Sequence, residues 1–450
     1  MNKLFGTDGI RGKVNELPMT MEIVQSLGLA ASTLFSENPA SSKLAVIGKD
    51  TRPSGDLFEA ALSAGLTAGG YKVIQLGILP TPAVAYFTKK LLADVGFVIS
   101  ASHNPPQDNG VKLFSPDGCK FSEDVEAQLE SYILNKSWNN VILPLNGKIT
   151  QKINANQEYA EYIKNTIPGT YFSNTPVVLD CANGAASTVA HHVFINYAEL
   201  LTYINDQTSD GHRINHNCGA TSPQALRQTV LEKGAGVGLA FDGDADRVIL
   251  CDDQGEILTG DHILAIWGRY LIEKGQLRHN TIVATQYSNM GLDDSIRQCG
   301  GNVVRVLNGD RYVYERMVKD DLTLGGEASG HIIYRDQSST GDGLLAGAHM
   351  IQIMQETGKS LSQLKQCISL YPQITRNVAV TEKKDLQSIP SVMQAIDQAN
   401  QELGDKGRTL IRYSGTENKA RIMIEGKDKQ QIEKLADHIA KEIQAKIGSE

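Results

Sequence analysis

Short apolar runs alternate with longer amphipathic stretches along most of the chain. Six runs are apolar almost throughout and are bounded by Gly, Asp or Asn; they lie at residues 43–50, 95–100, 176–184, 236–244, 281–286 and 302–307. Such runs are typical of parallel strands that are buried on both faces. Helical stretches lie between them, for instance at 54–70. Repeated βαβ units are therefore the expected architecture.

The pattern changes after a joining segment at 370–378. Two strand-like runs flank a polar loop within residues 408–426. Apolar residues then recur at helical spacing on one face: Ile432, Leu435, Ala436, Ile439, Ile443 and Ile447. We therefore expect a smaller α+β unit at the C-terminus.

Length and composition limit the class of protein. The chain has 450 residues, enough for three domains of roughly 150 residues each, or four if some are small. Its net charge is −8 and no run of Lys and Arg stands out, which argues against a nucleic-acid surface and against binding to an anionic membrane. Residues 1–12 lack the apolar stretch of a secretory signal, and the six cysteines form no C-x-x-C pair. We expect a cytoplasmic protein with reduced thiols.

Polar side chains of several kinds follow the predicted strand at 95–100. Ser100, Ser102, His103 and Asn104 come at its end, before two prolines and an Asn-Gly turn. Because open α/β sheets bind ligands at the carboxyl ends of their strands, this cluster indicates chemistry at that edge.

Three aspartates follow the predicted strand at 236–244. Asp242, Asp244 and Asp246 would repel one another unless a cation neutralised them, and Mg²⁺ fits if a phosphate oxygen completes its shell. An EF-hand loop is a weak alternative, because Arg247 stands where that loop needs glycine. A phosphatase with an aspartate nucleophile stays open at this point. A solvated acidic turn would leave the like charges uncompensated, so we favour a metal site.

Two further clusters carry groups that suit a phosphorylated sugar. Glu327, Ser329 and His331 alternate, so an extended segment would present all three to a polyol on one side. Near the C-terminus, two guanidinium groups, two hydroxyls and a glycine turn form a predicted phosphate cradle that needs no metal: Arg412, Ser414, Gly415, Thr416 and Arg421.

Other polar loops are less specific. Asp8 and Arg11 lie in one loop that contains several glycines. For Lys49 and Arg52 we favour a surface turn with a structural salt bridge. The segment 211–221 brings together His212, His216 and Cys218. Their spacing fits no common zinc pattern, so we favour an interdomain loop over a zinc site.

Together the clusters suit a sugar that carries phosphate at both ends. The motifs "FGTDGIRG", "ISASHNP" with "DNGVK", "LDCANGA", "SNMGL", "GDRYV", "GGEASGHII" and "TGDG" resemble those of the α-D-phosphohexomutase family in order and spacing, across residues 5–426. The resemblance implies three consecutive α/β mixed-sheet domains plus a smaller C-terminal α+β domain around a central active-site cleft. The expected bounds are 1–155 (phosphoserine loop), 156–257 (metal-binding loop), 258–370 (sugar-binding loop) and 371–450 (phosphate-binding loop).

The resemblance also implies roles for residues. Ser102 matches the family's phosphoserine, whereas Ser100 matches a position without a catalytic role. Phosphorylated Ser102 with the three aspartates would hold Mg²⁺. The remaining expected roles are charge stabilisation by Arg11 and Arg247, proton movement by Lys112 and His331, loop or phosphate support by His103, sugar binding by Gly309, Asp310, Glu327 and Ser329, and phosphate gripping by Arg412, Ser414, Gly415, Thr416 and Arg421.

The activity that the resemblance implies is conversion of glucosamine 6-phosphate to glucosamine 1-phosphate for UDP-N-acetylglucosamine and cell-wall precursors. A hexose 1,6-bisphosphate would serve as intermediate and activator, and the C-terminal unit would close over the substrate. Mannose or glucose phosphates are the alternative substrates, and an inactive sugar-phosphate-binding relative is the alternative class. Four residues depart from the family pattern and leave sugar specificity open: Leu307, Ala328, Tyr413 and Asn418. Ala245 is a further but small departure. Monomer or homodimer also stays open.

Overall fold

The computed structural model describes residues 3–6, 8–140, 143–167, 175–195, 198, 200–414 and 418–449. The chain forms two compact units. The first comprises Met1–Ser288 and Cys299–Cys367, and the second comprises Asn289–Gln298 and Ile368–Glu450. Three mixed sheets with helices lie in the first unit and a fourth, antiparallel sheet lies in the second. This arrangement confirms the expected fold class of three α/β domains followed by an α+β domain.

The first sheet has the strand order β1-β5-β4-β2-β3-β6. Its strands are β1 (Ile10–Lys13), β2 (Leu44–Lys49), β3 (Lys72–Ile78), β4 (Val95–Ile99), β5 (Asp108–Phe114) and β6 (Lys148–Gln151). Strands β2 and β4 are parallel neighbours, whereas β5 is antiparallel to both β4 and β1. Because β2 and β4 run the same way, the segments that follow Lys49 and Ile99 leave the same edge of the sheet.

The helices of this part are α1 (Met21–Ser36), α2 (Gly55–Ala68), α3 (Thr81–Lys90) and α4 (Glu123–Asn135). The apolar faces of α1, α2 and α4 and the sheet enclose a core cluster that includes Leu27, Leu62, Phe97 and Leu129. Helix α1 approaches α2 so closely that a Cβ at Gly28 would lie 2.5 Å from the carbonyl oxygen of Leu62. Glycine there permits the two backbones to touch.

The second sheet has the order β11-β10-β9-β7-β8. Its elements in chain order are α5 (Ala155–Thr166), β7 (Val177–Asp180), α6 (Ala190–Phe194), β8 (Leu201–Ile204), α7 (Gln224–Lys233), β9 (Val237–Phe241), β10 (Val248–Asp252) and β11 (Ile257–Leu258). Strands β7 and β9 are parallel, and β9 and β10 form an antiparallel pair. The aspartate loop 242–247 is therefore the connection between β9 and β10.

The third sheet has the order β13-β12-β14-β15. Its elements are α8 (Gly260–Glu273), β12 (Thr281–Thr285), β13 (Asn302–Val306), α10 (Asp310–Lys319), β14 (Leu324–Gly326), β15 (Ile332–Tyr334), α11 (Gly343–Thr357) and α12 (Leu361–Leu364). Helix α9 (Met290–Gln298) follows β12 in the chain but belongs to the second unit.

In the second unit, β18 (Lys419–Gly426) is the central strand between β16 (Gln373–Ala379) and β17 (Gly407–Tyr413), and both pairings are antiparallel. Helices α13 (Pro390–Leu403) and α14 (Lys429–Ile447) complete the unit. The predicted apolar face of α14 is confirmed, because all six of its predicted residues are buried.

The predicted strands are confirmed to within a few residues at each end, but the extended segment expected at residues 327–331 is not present. Residues 327–331 are not extended; they form the turn of the antiparallel hairpin between β14 and β15. The Gly330 N–H donates to the Glu327 carbonyl at 3.0 Å, and Gly330 has a φ of 92°. A turn therefore competes successfully with the extended form that the alternating pattern favours.

Within the described ranges, no helix combines the length with the apolar composition that crossing a membrane requires.

Candidate active site

Ser102 lies on the turn after β4, at the edge where β2 also ends. Its side chain is buried, and its Oγ donates to Oδ2 of Asp242 at 2.7 Å. The same oxygen lies 3.2 Å from Nδ1 of His103. The strand end thus directs the hydroxyl at the predicted metal site.

The three aspartates of the loop 242–247 converge as expected. Ligand atoms of Asp242, Asp244 and Asp246 lie within 4.8 Å of one another, and all three side chains are almost fully buried. They form the one such acidic group among the residues that the structure describes. The loop is tied to the first sheet, because Thr81 at the start of α3 donates its hydroxyl to Asp244 at 2.6 Å.

Lys112 on β5 supplies a buried positive charge to this cluster. Its Nζ lies 2.8 Å from Asp244, 3.0 Å from Asp246 and 3.4 Å from Asp8. Burial disfavours the ammonium, but the charges of Asp244, Asp246 and Asp8 outweigh it and hold the pKa of Lys112 well above its usual value. Lys112 is therefore a cation in this arrangement.

The carboxylates do not share the charge equally. Burial, with the charges of Asp246 and Asp244, raises the pKa of Asp242 to about 8. Burial also opposes ionisation of Asp246, but Lys112 and His331 outweigh it and keep its pKa well below the usual range. Asp242 is therefore the carboxyl of the group that takes up a proton most readily. A bound cation would displace that proton.

Several buried polar atoms at this site have no hydrogen-bond partner. Among the acceptors are Oδ1 of Asp244 and Oδ1 of Asp246; among the donors are Nε of Arg11 and Nε of Arg247. Such orphaned groups are rare in native interiors because each costs free energy. Unsatisfied carboxylate oxygens beside unsatisfied guanidinium N–H groups fit a bound divalent cation together with an anion such as phosphate. The donor set thus fits Mg²⁺.

Arg11 on β1 and Arg247 at the end of the aspartate loop flank this group. Arg11 pairs with Asp8, and Nε of Arg247 lies 3.7 Å from Asp246. Burial disfavours both cations, but neighbouring carboxylates raise the pKa of each. Next to them, burial and then the charge of Arg247 lower the pKa of His103 to about 4, so its imidazole is neutral.

Lys120 joins the site although the sequence analysis missed it. Its buried Nζ lies 2.5 Å from both Asp8 and Asp310. Asp310 starts α10 and also faces Nε2 of His331 at 3.3 Å. Lys120 follows Cys119 in a short loop with no distinctive pattern, so only the tertiary contacts identify it.

His331 lies beside the aspartates. Its Nδ1 lies 3.6 Å from Asp246, and its Nε2 accepts the Gly341 N–H at 2.9 Å. Burial favours the neutral imidazole, but the charges of Asp246 and Asp310 outweigh it and raise the pKa of His331. The Gly341 N–H instead favours an unprotonated Nε2. Asp246 and Asp310 thus favour the protonated imidazole of His331, whereas the Gly341 N–H favours the neutral one.

The predicted sugar-binding residues also meet in the first unit. Glu327 accepts the Gly309 N–H at 3.1 Å through Oε1 and the Ser329 hydroxyl at 3.1 Å through Oε2. The turn bearing Glu327 is fixed by Gly330, where a Cβ would lie 2.1 Å from the carbonyl oxygen of Val248.

The second unit contains the predicted phosphate-gripping residues that the structure describes. Arg412 and Arg421 face each other directly on β17 and β18. The Nη2 group of Arg421 lies 3.4 Å from Oγ of Ser414, a buried side chain. Gly415 and Thr416 lie outside the described residues.

The segment 211–221 contacts the Ser102 turn, and among the described residues His212, His216 and Cys218 do not bring their ligand atoms together as a metal site would. His212 and His216 are exposed, and Cys218 is buried near Asn183. Asn215, which the sequence analysis did not single out, donates to the main chain of the Ser102 turn. No sequence signal distinguishes it from the neighbouring asparagine.

Sequence comparison identifies relatives over the whole chain. The four domain profiles of phosphoglucomutase/phosphomannomutase match it: α/β/α domain I at residues 2–140, domain II at 157–255, domain III at 259–371 and the C-terminal domain at 376–442. A phosphoglucosamine mutase from Geobacter metallireducens is 45% identical and the match covers 100% of both chains.

Solved structures share the fold. A phosphoglucomutase/phosphomannomutase family protein from Burkholderia thailandensis is 21% identical and superposes with a TM-score of 0.80, over 98% of this chain and 97% of the other. The N-acetylphosphoglucosamine mutase of Aspergillus fumigatus, solved in complex with GlcNAc-6P and magnesium, is 16% identical with a TM-score of 0.68, over 98% and 95% of the two chains. By its four matching domains and its full-length relatives, the chain belongs to the phosphoglucomutase/phosphomannomutase family.

Proposed function

We propose that this protein interconverts glucosamine 6-phosphate and glucosamine 1-phosphate through a phosphoserine at Ser102. The observation that carries the proposal is the buried Ser102 hydroxyl beside three buried aspartates, in a site where carboxylate oxygens and guanidinium N–H groups lack hydrogen-bond partners. The full-length relative named phosphoglucosamine mutase supports the choice of sugar. We also assign Mg²⁺ as the cofactor and a hexose 1,6-bisphosphate as intermediate and activator.

Ser102 is the carrier of the phosphoryl group. Phosphorylated Ser102 with Asp242, Asp244 and Asp246 would hold the Mg²⁺ ion. When bound, the cation neutralises charge on the transferring phosphoryl group, which is the main requirement of this reaction. Arg11 and Arg247 would donate their N–H groups to the phosphoryl oxygens, and the neutral His103 would support the turn.

The reaction has two transfers. In the first, the bond between phosphorus and the Ser102 oxygen breaks as a bond forms to the free sugar hydroxyl. The hydroxyl proton passes to an enzyme group. His331 is our candidate to accept it, and Lys112, which is already a cation, is our candidate to give a proton back to the sugar oxygen in the second transfer. The resulting hexose 1,6-bisphosphate turns end for end, and its other phosphoryl group returns to Ser102.

The sugar and the other phosphate need separate contacts. We assign the sugar hydroxyls to Glu327, Ser329, Gly309 and Asp310, whose groups converge in the first unit. Arg412, Ser414 and Arg421 would grip the phosphate that does not react, together with Gly415 and Thr416. Guanidinium groups suit this task because they bind phosphate by paired hydrogen bonds.

The test is turnover on glucosamine, mannose and glucose 6-phosphates, measured side by side with Mg²⁺ and a trace of hexose bisphosphate. A kcat/KM at least a hundredfold higher for the amino sugar, about 2.7 kcal/mol, supports the proposal. A lead for mannose or glucose phosphate would overturn the choice of sugar. It would direct attention to Ala328 and to the exposed Leu307.

Ser102→Ala tests the mechanism separately. We expect it to abolish both the phosphoserine seen by mass spectrometry and the mutase activity while the unfolding midpoint stays near that of the native chain. Full mutase activity in this variant would contradict a phosphoserine mechanism.

A further inference from the structure

Ser102 is held in a backbone conformation that non-glycine residues seldom adopt. Its φ is 52°, in the left-handed region. Such a conformation persists only where surrounding contacts hold it. The contacts that do so come from two other segments of the chain.

The Ser102 carbonyl accepts two side-chain hydrogen bonds. Nη2 of Arg52 donates at 2.9 Å and Nδ2 of Asn215 donates at 2.8 Å. The same two side chains reach the Asn104 carbonyl, at 2.7 Å and 3.1 Å respectively. A guanidinium and an amide therefore hold the same turn together.

All five side-chain N–H groups of Arg52 donate hydrogen bonds. Nη2 makes the bonds to Ser102 and Asn104. Nη1 donates to the carbonyls of Pro105 at 2.5 Å and Asp108 at 2.8 Å. Nε donates to Asp50 at 2.9 Å. Arg52 is buried, so the surface turn expected from the sequence is wrong for this residue, although its salt bridge with Asp50 is present. A lysine could not reproduce this fork of donors.

The main-chain N–H of Ser102 is held in place as well. Its N–H donates to Oγ of Ser100 at 2.8 Å, and that hydroxyl donates to Asp50 at 2.6 Å. The backbone of the aspartate loop packs on the same turn, because a Cβ at Gly243 would lie 2.6 Å from the Ser102 carbonyl oxygen. The position of Ser102 Oγ relative to Asp242 is thus set by contacts on both sides of the residue.

We propose that Arg52 and Asn215 are positioning residues for phosphoryl transfer, holding the Ser102 main chain so that its oxygen faces the aspartate loop. This inference rests on the proposed function. Neither side chain contacts the reacting oxygen. Because misplacement of a reacting group by about 1 Å can cost a hundredfold in rate, their loss acts on the transfer step and not on substrate binding.

Asn215 gives the cleaner test, because it is half-buried and its neighbour Asn217 provides a matched control. Both residues have left-handed backbones, with φ of 58° and 53°, but Asn217 is exposed. Asn215→Gly removes the amide donor without straining the backbone. Asn215→Asp keeps the shape and places carboxylate oxygens against two carbonyl oxygens. Asn217→Gly and Asn217→Asp make the same changes at this exposed neighbour.

The measured quantity is the single-turnover rate of phosphoryl transfer per phosphorylated Ser102, which does not depend on the folded fraction. We expect about a tenfold fall for Asn215→Gly and a larger fall for Asn215→Asp, with KM within twofold and the Asn217 variants unchanged. Arg52→Lys, assayed in the same way, should also slow transfer.

Transfer rates for the Asn215 variants and Arg52→Lys within twofold of the Asn217 variants would overturn the inference, as would a loss confined to KM. Failure of the proposed function has a different signature, since the native chain would then show no phosphoserine-dependent turnover at all.

Discussion

Lys112 is the counter-charge of the aspartate group, yet it leaves that group incompletely satisfied. It contacts Asp244 and Asp246 through one oxygen each, and the other oxygen of each carboxylate is buried without a hydrogen bond. An ammonium has three donors and one charge, whereas the cluster presents three carboxylates. The residues therefore offer ligands that Lys112 does not use.

This predicts that Mg²⁺ stabilises the protein in the absence of substrate. At a concentration a hundred times its dissociation constant, a ligand that binds only the folded state adds about 2.7 kcal/mol to the free energy of unfolding. We expect thermal unfolding to show this gain for the native chain and a much smaller one for Asp246→Asn. Asp253→Asn, an exposed aspartate beyond the cluster, is the control, and equal gains in both variants would contradict the prediction.

Sequence reasoning at the residue scale succeeded where residue types alone define the chemistry. Three closely spaced aspartates indicate a cation site whatever the fold. It did not find Lys120 or Asn215, because their roles depend on contacts with residues more than a hundred positions away. A single lysine or asparagine in a loop carries no pattern that could reveal such a contact.

At the scale of elements, the start of α8 contains a histidine in an unusual role. The Thr259 N–H donates to Nδ1 of His262 at 3.1 Å, which closes a capping box. This bond needs an unprotonated nitrogen. Burial, then the charge of Lys365, lowers the pKa of His262 from 6.5 to about 4.

The stability of α8 should therefore depend on pH. Above pH 6.5 the imidazole is neutral in the folded and unfolded chains, so the contribution is constant. As pH falls from 6.5 towards 4, the unfolded chain binds a proton first, and stability is lost. We expect His262→Gln, which keeps a capping acceptor, to remove about 2 kcal/mol of the loss between pH 7 and pH 5, the amount that a pKa shift from 6.5 to about 4 implies. Urea unfolding at both pH values measures it, and identical losses would exclude this role.

Strands and helices were predictable because burial imposes a periodic pattern. The run in β9 is apolar since both faces of the strand are covered, and α14 shows its one buried face. The hairpin turn at 327–331 was misread because alternation of Glu, Ser and His describes an extended strand equally well. The left-handed conformation of Gly330 makes the segment a turn. The presence of a glycine in the sequence does not reveal which φ it adopts.

At the scale of the whole molecule, the second unit is held together by a buried carboxylate. Glu425 is fully buried, accepts the Met290 N–H at 2.8 Å and pairs with Nε of Arg408 at 2.8 Å. It thus joins β18 to helix α9. Because Arg408 is partly exposed, water can solvate the charge left behind, and loss of the Glu425 charge should cost about 1–3 kcal/mol.

Glu425→Gln should therefore destabilise the second unit selectively. We expect faster hydrogen exchange at the amides of α9 and β18, with little change in β2 and β4 of the first unit. Glu402→Gln, at an exposed position on α13, should leave all of them unchanged. Equal acceleration in both units, or none in α9, would count against this account.

The division into units was only partly predictable. The alternating strands and helices, and the changed pattern after residue 370, indicated repeated α/β units followed by a smaller C-terminal unit, whereas the division into four domains was implied only by the resemblance to the family. The membership of α9 was not predictable, since its sequence follows β12 without a break and its hydrogen-bond partners include Tyr371 and Glu425. Amphipathic spacing shows that a helix has a buried face but does not say which core covers it.

The discontinuity of the second unit limits how this protein can be recombined. Helix α9 approaches residue 369 so closely that a Cβ at Gly291 would lie 2.1 Å from the Ser369 carbonyl oxygen. A chimaera joined at residue 368 would inherit the C-terminal strands of one parent and the α9 of the other. Exchange of this module between homologues therefore requires two crossovers, so that residues 289–298 travel with it, or compensating changes where the two parents meet.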